Sequence, residues 1–328
     1  MNRVFINATS AKKGGALTIL NSYCSAKKND NDNFYIIFSP LKPNEPPLNC
    51  RWIKYETKGF FSLMFNIFLS WFYCQWHRCD KIISFSNVNT IFHVNKKVTY
   101  FHNVLILNPK SFKYKVLNFI LHYFRNDSEL FIFQTPYVKK MFAKTFGNLY
   151  SYEICWPGFC PVLPSQFDAL KVSRLKLSGN NKVLVPICNI EEKHKNFDLV
   201  VSLASANPDI QFNVTCAELV LDIYPNIIFI GELTRHDFIE AIRQSDCVLI
   251  TSTLETVCLP IFEAIQLNIP ALVFKSDYLL GIYEVFGELN GVFQFDSVDN
   301  FFDRFVSATK YEFDHKKCKK YLIGNWDF

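Results

Sequence analysis

The sequence has no CxxC pair and no cysteine–histidine cluster with zinc spacing, although it carries 11 cysteines. A finger-type zinc site is therefore excluded. An odd cysteine count in a chain of 328 residues points to free thiols in a reducing compartment, not to a disulfide framework. Cys216 and Cys247 lie inside apolar runs and read as core residues. No GxGxxG occurs, so a nicotinamide fingerprint is not supported. No D-x-D pair flanked by apolar residues stands at a strand end, which is where metal-dependent transfer from a diphosphate holds its cation, and no metal is expected. A basic stripe is also missing. The net charge of +5 is mild and dispersed, which argues against nucleic acid and suits an anionic small molecule or an anionic membrane surface. The opening MNRVFINATS lacks the charged-then-apolar form of a secretory signal, so a cytoplasmic protein is expected.

An uninterrupted apolar span is absent too. The most apolar window, residues 59–76 (GFFSLMFNIFLSWFYCQW), is broken by Ser62, Asn66, Ser70 and Gln75 and is followed by His77, Arg78 and Asp80. It is slightly short for a transmembrane helix. Two readings stand: a buried helix of a first domain, or an interfacial helix whose aromatic face dips into a bilayer.

What is present is a globular chain, 49% hydrophobic and 20% charged, long enough for two domains with separate cores. Short apolar runs alternate with helical stretches. In the first half, strands are expected at 3–8, 33–39, 81–86, 97–102 and 129–135, and helices at 14–26, 60–76, 111–126 and 136–146. Three prolines within 151–168 mark a linker. In the second half, strands are expected at 181–187, 209–216, 226–233, 247–252 and 270–274, with helices at 196–206, 236–245 and 259–267 and one or two more in the tail. This rhythm predicts right-handed βαβ units and parallel sheets. The expected architecture is α/β: two Rossmann-like, doubly wound domains facing a central cleft. The expected boundaries are 1–160, 161–310 and a helical tail over 311–328.

Two glutamates eight residues apart stand out in ITSTLETVCLPIFEAIQLNIPALVF, residues 250–274. Glu255 is expected where a strand gives way to a helix, and Glu263 about two turns into that helix. The eight-residue offset would return to nearly the same helix face. The carboxyl end of a parallel strand is where an open α/β sheet holds a ligand. The bland alternative is that both acids only complement a helix dipole.

Three further positions have a physical reading. Gly14 and Gly15 follow the first strand and open a helix, where glycine allows close backbone approach and the helix N-terminus favours negative charge. Lys193, His194 and Lys195 follow the strand VLVPI and can neutralise a diphosphate; the alternative is a solvated loop. His102 ends the strand KVTYF, either facing a ligand or as a satisfied polar group.

The segment 181–274 resembles the second domain of a family-4 glycosyltransferase of the GT-B fold. Glu255, Leu259-Pro260 and Glu263 match the family pattern in identity and spacing, as do Ser252, Gly231-Glu232-Leu233 and Lys193-His194-Lys195-Asn196. Weaker matches in the first half are Gly14-Gly15, His102-Asn103 and Gln134-Thr135. Thr256, Val257 and Cys258 depart from the commonest letters, and the family's glycine is Cys258 here. The family often has an arginine a few residues upstream of the lysine; Ile187-Cys188-Asn189 supplies none, and Arg235 is the substitute considered.

The resemblance implies a retaining, metal-independent transferase without a cofactor, resembling enzymes of bacterial O-antigen and capsule assembly. The implied donor is a nucleotide-sugar and the implied acceptor a saccharide on a polyprenyl diphosphate, at the inner face of the cytoplasmic membrane. Lys195, or Lys193, would bind the diphosphate beside Asn196. Glu263 would hold the ribose and Glu255 the transferred sugar. The backbone at Thr256 and Val257 would approach phosphate or sugar, and His102 would lie near the reacting sugar. The alternatives are a GT-B nucleotide-sugar epimerase and a non-catalytic interaction protein that keeps the fold.

Overall fold

A computed structural model of the chain describes residues 1–12, 14–125, 129–148, 151–158, 177, 181–217 and 224–328. They fall into two compact units: Met1–Cys160 together with Leu322–Phe328, and Pro161–Tyr321. The linker expected over 151–168 lies outside the described residues from 159 onward.

In the first unit the strands are β1 (Asn2–Asn7), β2 (Asn33–Ser39), β3 (Cys50–Lys54), β4 (Lys81–Ser84), β5 (Lys96–Phe101), β6 (Leu130–Phe133) and β7 (Tyr152–Ile154). All pair in parallel, in the order β3-β2-β1-β4-β5-β6-β7. Both faces are covered, so the strands read as continuous apolar runs and not as alternating ones. From β1, Val4 and Ile6 pack with Ile19, Leu20 and Tyr23 of α1 (Gly14–Ala26). Phe5 points to the other face, against Ile36, Phe38 and Phe65. The last residues of the chain complete the α1 face. The Trp326 ring lies 5.5 Å from Tyr23 and 5.4 Å from Tyr100, and its Nε1 donates to Ser22 Oγ at 3.3 Å.

The helix expected over 60–76 is not uniform. It consists of α2 (Gly59–Met64), a π-helical turn over Phe65–Leu69, and α3 (Ser70–Trp76). Two of its polar interruptions, Asn66 and Ser70, turn inward, whereas Gln75 is exposed. Asn7 Nδ2, at the end of β1, donates to Asn66 Oδ1 at 2.8 Å, and Ser70 Oγ donates to the Asn66 carbonyl at 2.7 Å. Phe60, Phe61, Phe68, Phe72 and Trp76 are exposed instead. No described helix is long and apolar enough to cross a membrane. Two more helices follow in this unit, α4 (Phe112–Tyr123) and α5 (Pro136–Phe146). Thr135 caps α5 through the Val138 N–H, and Pro136 occupies its first turn, as the sequence predicts.

The second unit holds β8 (Lys182–Val185), β9 (Gln211–Val214), β10 (Ile227–Phe229), β11 (Cys247–Ile250), β12 (Ala271–Phe274) and β13 (Val292–Phe295), parallel in the order β10-β9-β8-β11-β12-β13. Its helices are α6 (Phe197–Ala206), α7 (Arg235–Arg243), α8 (Leu259–Gln266), α9 (Asp277–Phe286), α10 (Val298–Thr309) and α11 (His315–Leu322). One core layer joins Val183, Val185, Val214, Leu249 and Leu272 to Val200 and Leu203 of α6 and Phe301 and Phe305 of α10. Strand order reverses between β8 and β11, where Cys247 pairs with Val183. In an open α/β sheet the crevice at the carboxyl ends of such a strand pair is the ligand position.

Candidate functional site

The segments that follow β8 and β11 meet at this reversal point. After β8 the chain forms a 3-10 turn over Lys193–Lys195 and enters α6 through Asn196, whose φ is 55°. After β11 it runs through residues 251–258 and enters α8 through Cys258, whose φ is 56°. Hydrogen bonds clasp the two segments. Thr251 Oγ1 donates to the Lys195 carbonyl at 2.7 Å, and the Thr253 N–H donates to the His194 carbonyl at 2.8 Å.

Glu255 lies in the connecting loop, and Glu263 is the fifth residue of α8. The expectation that both share one helix face is therefore corrected. The left-handed residue Cys258 breaks any helical continuity between them, so the offset of eight carries no geometric meaning here. What the fold does instead is give each acid its own cation. Lys195 Nζ donates to Glu255 Oε1 at 2.6 Å, with the two side chains 23% and 18% exposed. Arg235, at the first position of α7, pairs with Glu263, whose side chain is only 4% exposed. Buried charge is tolerated only when paired, and both pairs meet that condition. Burial pulls the Lys195 ammonium down, the Glu255 carboxylate outweighs it, and the group ends above the ordinary lysine value. Lys195 is thus a retained cation at the sheet edge.

Lys193 is exposed and, among the described residues, is in no ion pair, so the geometry separates it from Lys195. Thr256 is half-buried and Val257 is buried. Cys258 is buried as well. Burial, and after it the Glu255 carboxylate, push its thiol well above the ordinary value, so it is a protonated packing group and not a nucleophile. Its neighbour is Tyr278, in the first turn of α9 and fully buried. The side chain that replaces the family's glycine therefore points into the interior. The left-handed backbone at 258 also explains why glycine suits this position.

The residues expected in the first half belong to the first unit. Gly14 has φ 64° at the start of α1, and a Cβ there would meet nothing within 4 Å, so its requirement is conformational and not steric. Gly15 is the second residue of the same helix. His102 directly follows β5, and its N–H donates to Asn87 Oδ1 at 2.7 Å. Burial lowers its imidazole to about 4, with a backbone hydrogen bond to Tyr100 opposing. Asn103 caps the following 3-10 turn, accepting from the Leu105 N–H at 3.0 Å.

Three features were not legible beforehand: the Arg235–Glu263 pair, the clasp by Thr251 and Thr253, and Tyr278 behind Cys258. In the sequence Arg235 reads only as a phosphate partner, and 28 residues separate it from the acid it pairs with.

Residues 169–321 match the family described as glycosyl transferases group 1. This stretch is similar to group 1 glycosyltransferase domains. It contains Lys195, Arg235, Glu255 and Glu263, so all four charges of the site lie within the matched stretch. No curated protein matches the chain in sequence. Among solved structures, HepE from Anabaena, in complex with UDP and glucose, is similar with a TM-score of 0.65 and 14% identity, over 98% of this chain and 96% of that one. WaaG, a glycosyltransferase involved in lipopolysaccharide biosynthesis, is similar with a TM-score of 0.64 and 14% identity, over 98% and 93%. Sucrose-phosphate synthase from Thermosynechococcus elongatus reaches a TM-score of 0.66 at 11% identity, over 100% and 96%. At these identities the likeness is one of fold, and the fold is GT-B: two Rossmann-like α/β domains, each built on a parallel sheet.

Proposed function

We propose that the glycosyltransferase takes its sugar from a nucleotide-sugar held at the β8/β11 reversal point and passes it, with retention, to a lipid-linked saccharide. The observation that carries this is the Lys195–Glu255 pair: a retained cation and a half-buried carboxylate, 2.6 Å apart, at the ligand position of the sheet. The ammonium would bind the diphosphate and stabilise the charge that grows on it as the bond to the sugar breaks. The Glu255 carboxylate would accept hydrogen bonds from the sugar hydroxyls, and Glu263 from the vicinal hydroxyls of the ribose. Thr256 and Val257 would bring backbone to phosphate or sugar. For His102, Gly14 and Gly15, which belong to the first unit, the family resemblance is the support for a ligand role.

UDP and glucose bound to HepE make uridine donors the first to try. No metal is assigned in this scheme, because Lys195 would supply the positive charge at the diphosphate.

An acceptor on a polyprenyl diphosphate requires access to a bilayer. Support for peripheral docking comes from α4. Phe112, Phe119, Tyr123 and Phe124 are exposed, Lys110, Lys113 and Lys115 accompany them, and residues 104–125 contain no acid. Exposed aromatics with lysines and no carboxylates suit the interface of an anionic membrane. The likeness to WaaG favours a role in surface polysaccharide assembly, in O-antigen or capsule, at the cytoplasmic face.

The test is a thermal-shift panel of UDP-, GDP- and dTDP-sugars and their nucleoside diphosphates. A ligand of the native state raises the melting temperature by an amount that grows with the logarithm of its concentration over Kd, and one base is expected to dominate. No response to any nucleotide would overturn the proposal.

A further inference from the structure

Each acid of the site has a cation of its own, yet the two pairs differ in a way that bears on how the site empties and fills. The Glu263–Arg235 pair has its carboxylate almost fully buried and its guanidinium half exposed. In the Lys195–Glu255 pair both partners are partly buried to a similar degree. The backbone around Lys195 is held by Thr251 Oγ1 on its carbonyl and by the Thr253 N–H on the preceding carbonyl. Only the two side chains are left to rearrange. Lys193, the other lysine of the turn, is exposed and outside the pair. Arg235 is engaged by Glu263. A diphosphate arriving at Lys195 therefore meets an ammonium that already has a carboxylate bound.

We propose that Glu255 acts as an internal counter-ion that stands in for the diphosphate in the empty site, so that donor binding is an exchange of partners. Lys195 passes from the Glu255 carboxylate to the diphosphate, and the released carboxylate takes up the hydroxyls of the transferred sugar. This rests on the nucleotide-sugar reading above. The exchange makes the site discriminate between donor and product. A nucleotide-sugar brings hydroxyl donors to the freed carboxylate. A nucleoside diphosphate brings none, leaving a partly buried carboxylate without its cation, which is costly. The product is then bound less tightly than the donor by the same lysine, and departure after transfer restores the Lys195–Glu255 pair. Glu255 is in this sense a specificity-determining residue that separates donor from product by whether a sugar is attached.

Isothermal titration of UDP, GDP and dTDP, and of the matching nucleotide-sugars, into wild type, Glu255→Gln, Lys195→Met and the double variant tests this. For the base that binds, Glu255→Gln should tighten the nucleoside diphosphate about tenfold while the nucleotide-sugar gains little or loses, a change of the size expected for a charged hydrogen bond. In the Lys195→Met background the same substitution should give no gain, because the lysine that Glu255 withholds is gone. Unchanged or weaker nucleoside diphosphate binding by Glu255→Gln overturns the exchange. So does a gain that persists in Lys195→Met, which would be plain charge repulsion. Glu255→Ala, expected to act in the same direction, guards against misfolding of the first variant, with melting curves as the check. If no nucleotide binds the wild type, the nucleotide-sugar reading itself fails and the exchange falls with it.

Discussion

Asn196 and Cys258 enter α6 and α8 with matching left-handed backbones, φ 55° and ψ 52° at Asn196, φ 56° and ψ 67° at Cys258. Both segments of the site thus end in the same sharp entry into a helix, and neither residue caps its helix with a side chain. Asparagine tolerates this conformation; cysteine does not favour it. The usual ranking of alanine over glycine should therefore invert at 258. Cys258→Gly is expected to be more stable than Cys258→Ala by about 1 kcal/mol, read from urea unfolding midpoints at equal slopes. Equal stability, or alanine ahead, would show that the backbone is not held left-handed.

Removal of Arg235 leaves the Glu263 carboxylate buried without its partner. Arg235→Ala is expected to destabilise the second unit by about 1–3 kcal/mol, at or below the low end of the about 3–5 kcal/mol for a fully buried pair, because the arginine is itself half exposed. Replacing both, as Arg235→Ala with Glu263→Gln, should recover part of that loss. A double variant no more stable than the single would mean that the pair is not coupled.

His102 should remain neutral through the physiological range. Its folded value, about 4, lies below the ordinary value of 6.5, because burial disfavours the cation. Between those values the unfolded chain binds more protons than the folded one, so stability from this group is complete above pH 6.5 and is lost as pH falls toward 4. Imidazole resonances followed by NMR should show one histidine that does not titrate from pH 8 to about 5 and that disappears in His102→Asn. A His102 that titrates near 6.5 would contradict the burial described.

The α4 surface makes a prediction about lipid. Full-length protein should co-sediment with vesicles containing anionic phosphatidylglycerol and not with purely zwitterionic vesicles. Phe112→Ser with Phe119→Ser should weaken that partition about tenfold without changing the melting temperature, since both rings are exposed. Binding that ignores both lipid charge and the two substitutions would remove α4 as the docking face.

Much of the fold was readable because the strands of both sheets are covered on two sides. NFYIIFS of β2 and CVLI of β11 are apolar without alternation, and helix-length gaps separate such runs. The strands that escaped are short or partly exposed. β3, CRWIK, has no fully buried residue, and β7 is three residues at the sheet edge. In the segment 59–76 the letters misled in the opposite sense. Asn66 and Ser70 look like breaks in an apolar surface, yet they are on the buried, hydrogen-bonded side, and Phe60, Phe61, Phe68, Phe72 and Trp76 are outside. At the site, the offset of eight between Glu255 and Glu263 misled as geometry, because the left-handed Cys258 breaks the helix between them. Partners that come from other elements, Lys195 for Glu255 and Arg235 for Glu263, are set by the order of strands, which no local window contains.

The most direct test of the account is calorimetric titration of UDP-, GDP- and dTDP-sugars into the wild type and Lys195→Ala. The account predicts saturable binding of sugars on one base by the wild type and a loss of about tenfold or more in Lys195→Ala, with the unliganded protein still folded but melting somewhat lower, because Glu255 loses its cation. Failure of every nucleotide-sugar to bind the wild type, or equal binding by Lys195→Ala, would contradict the assignment of the β8/β11 reversal point as the donor site.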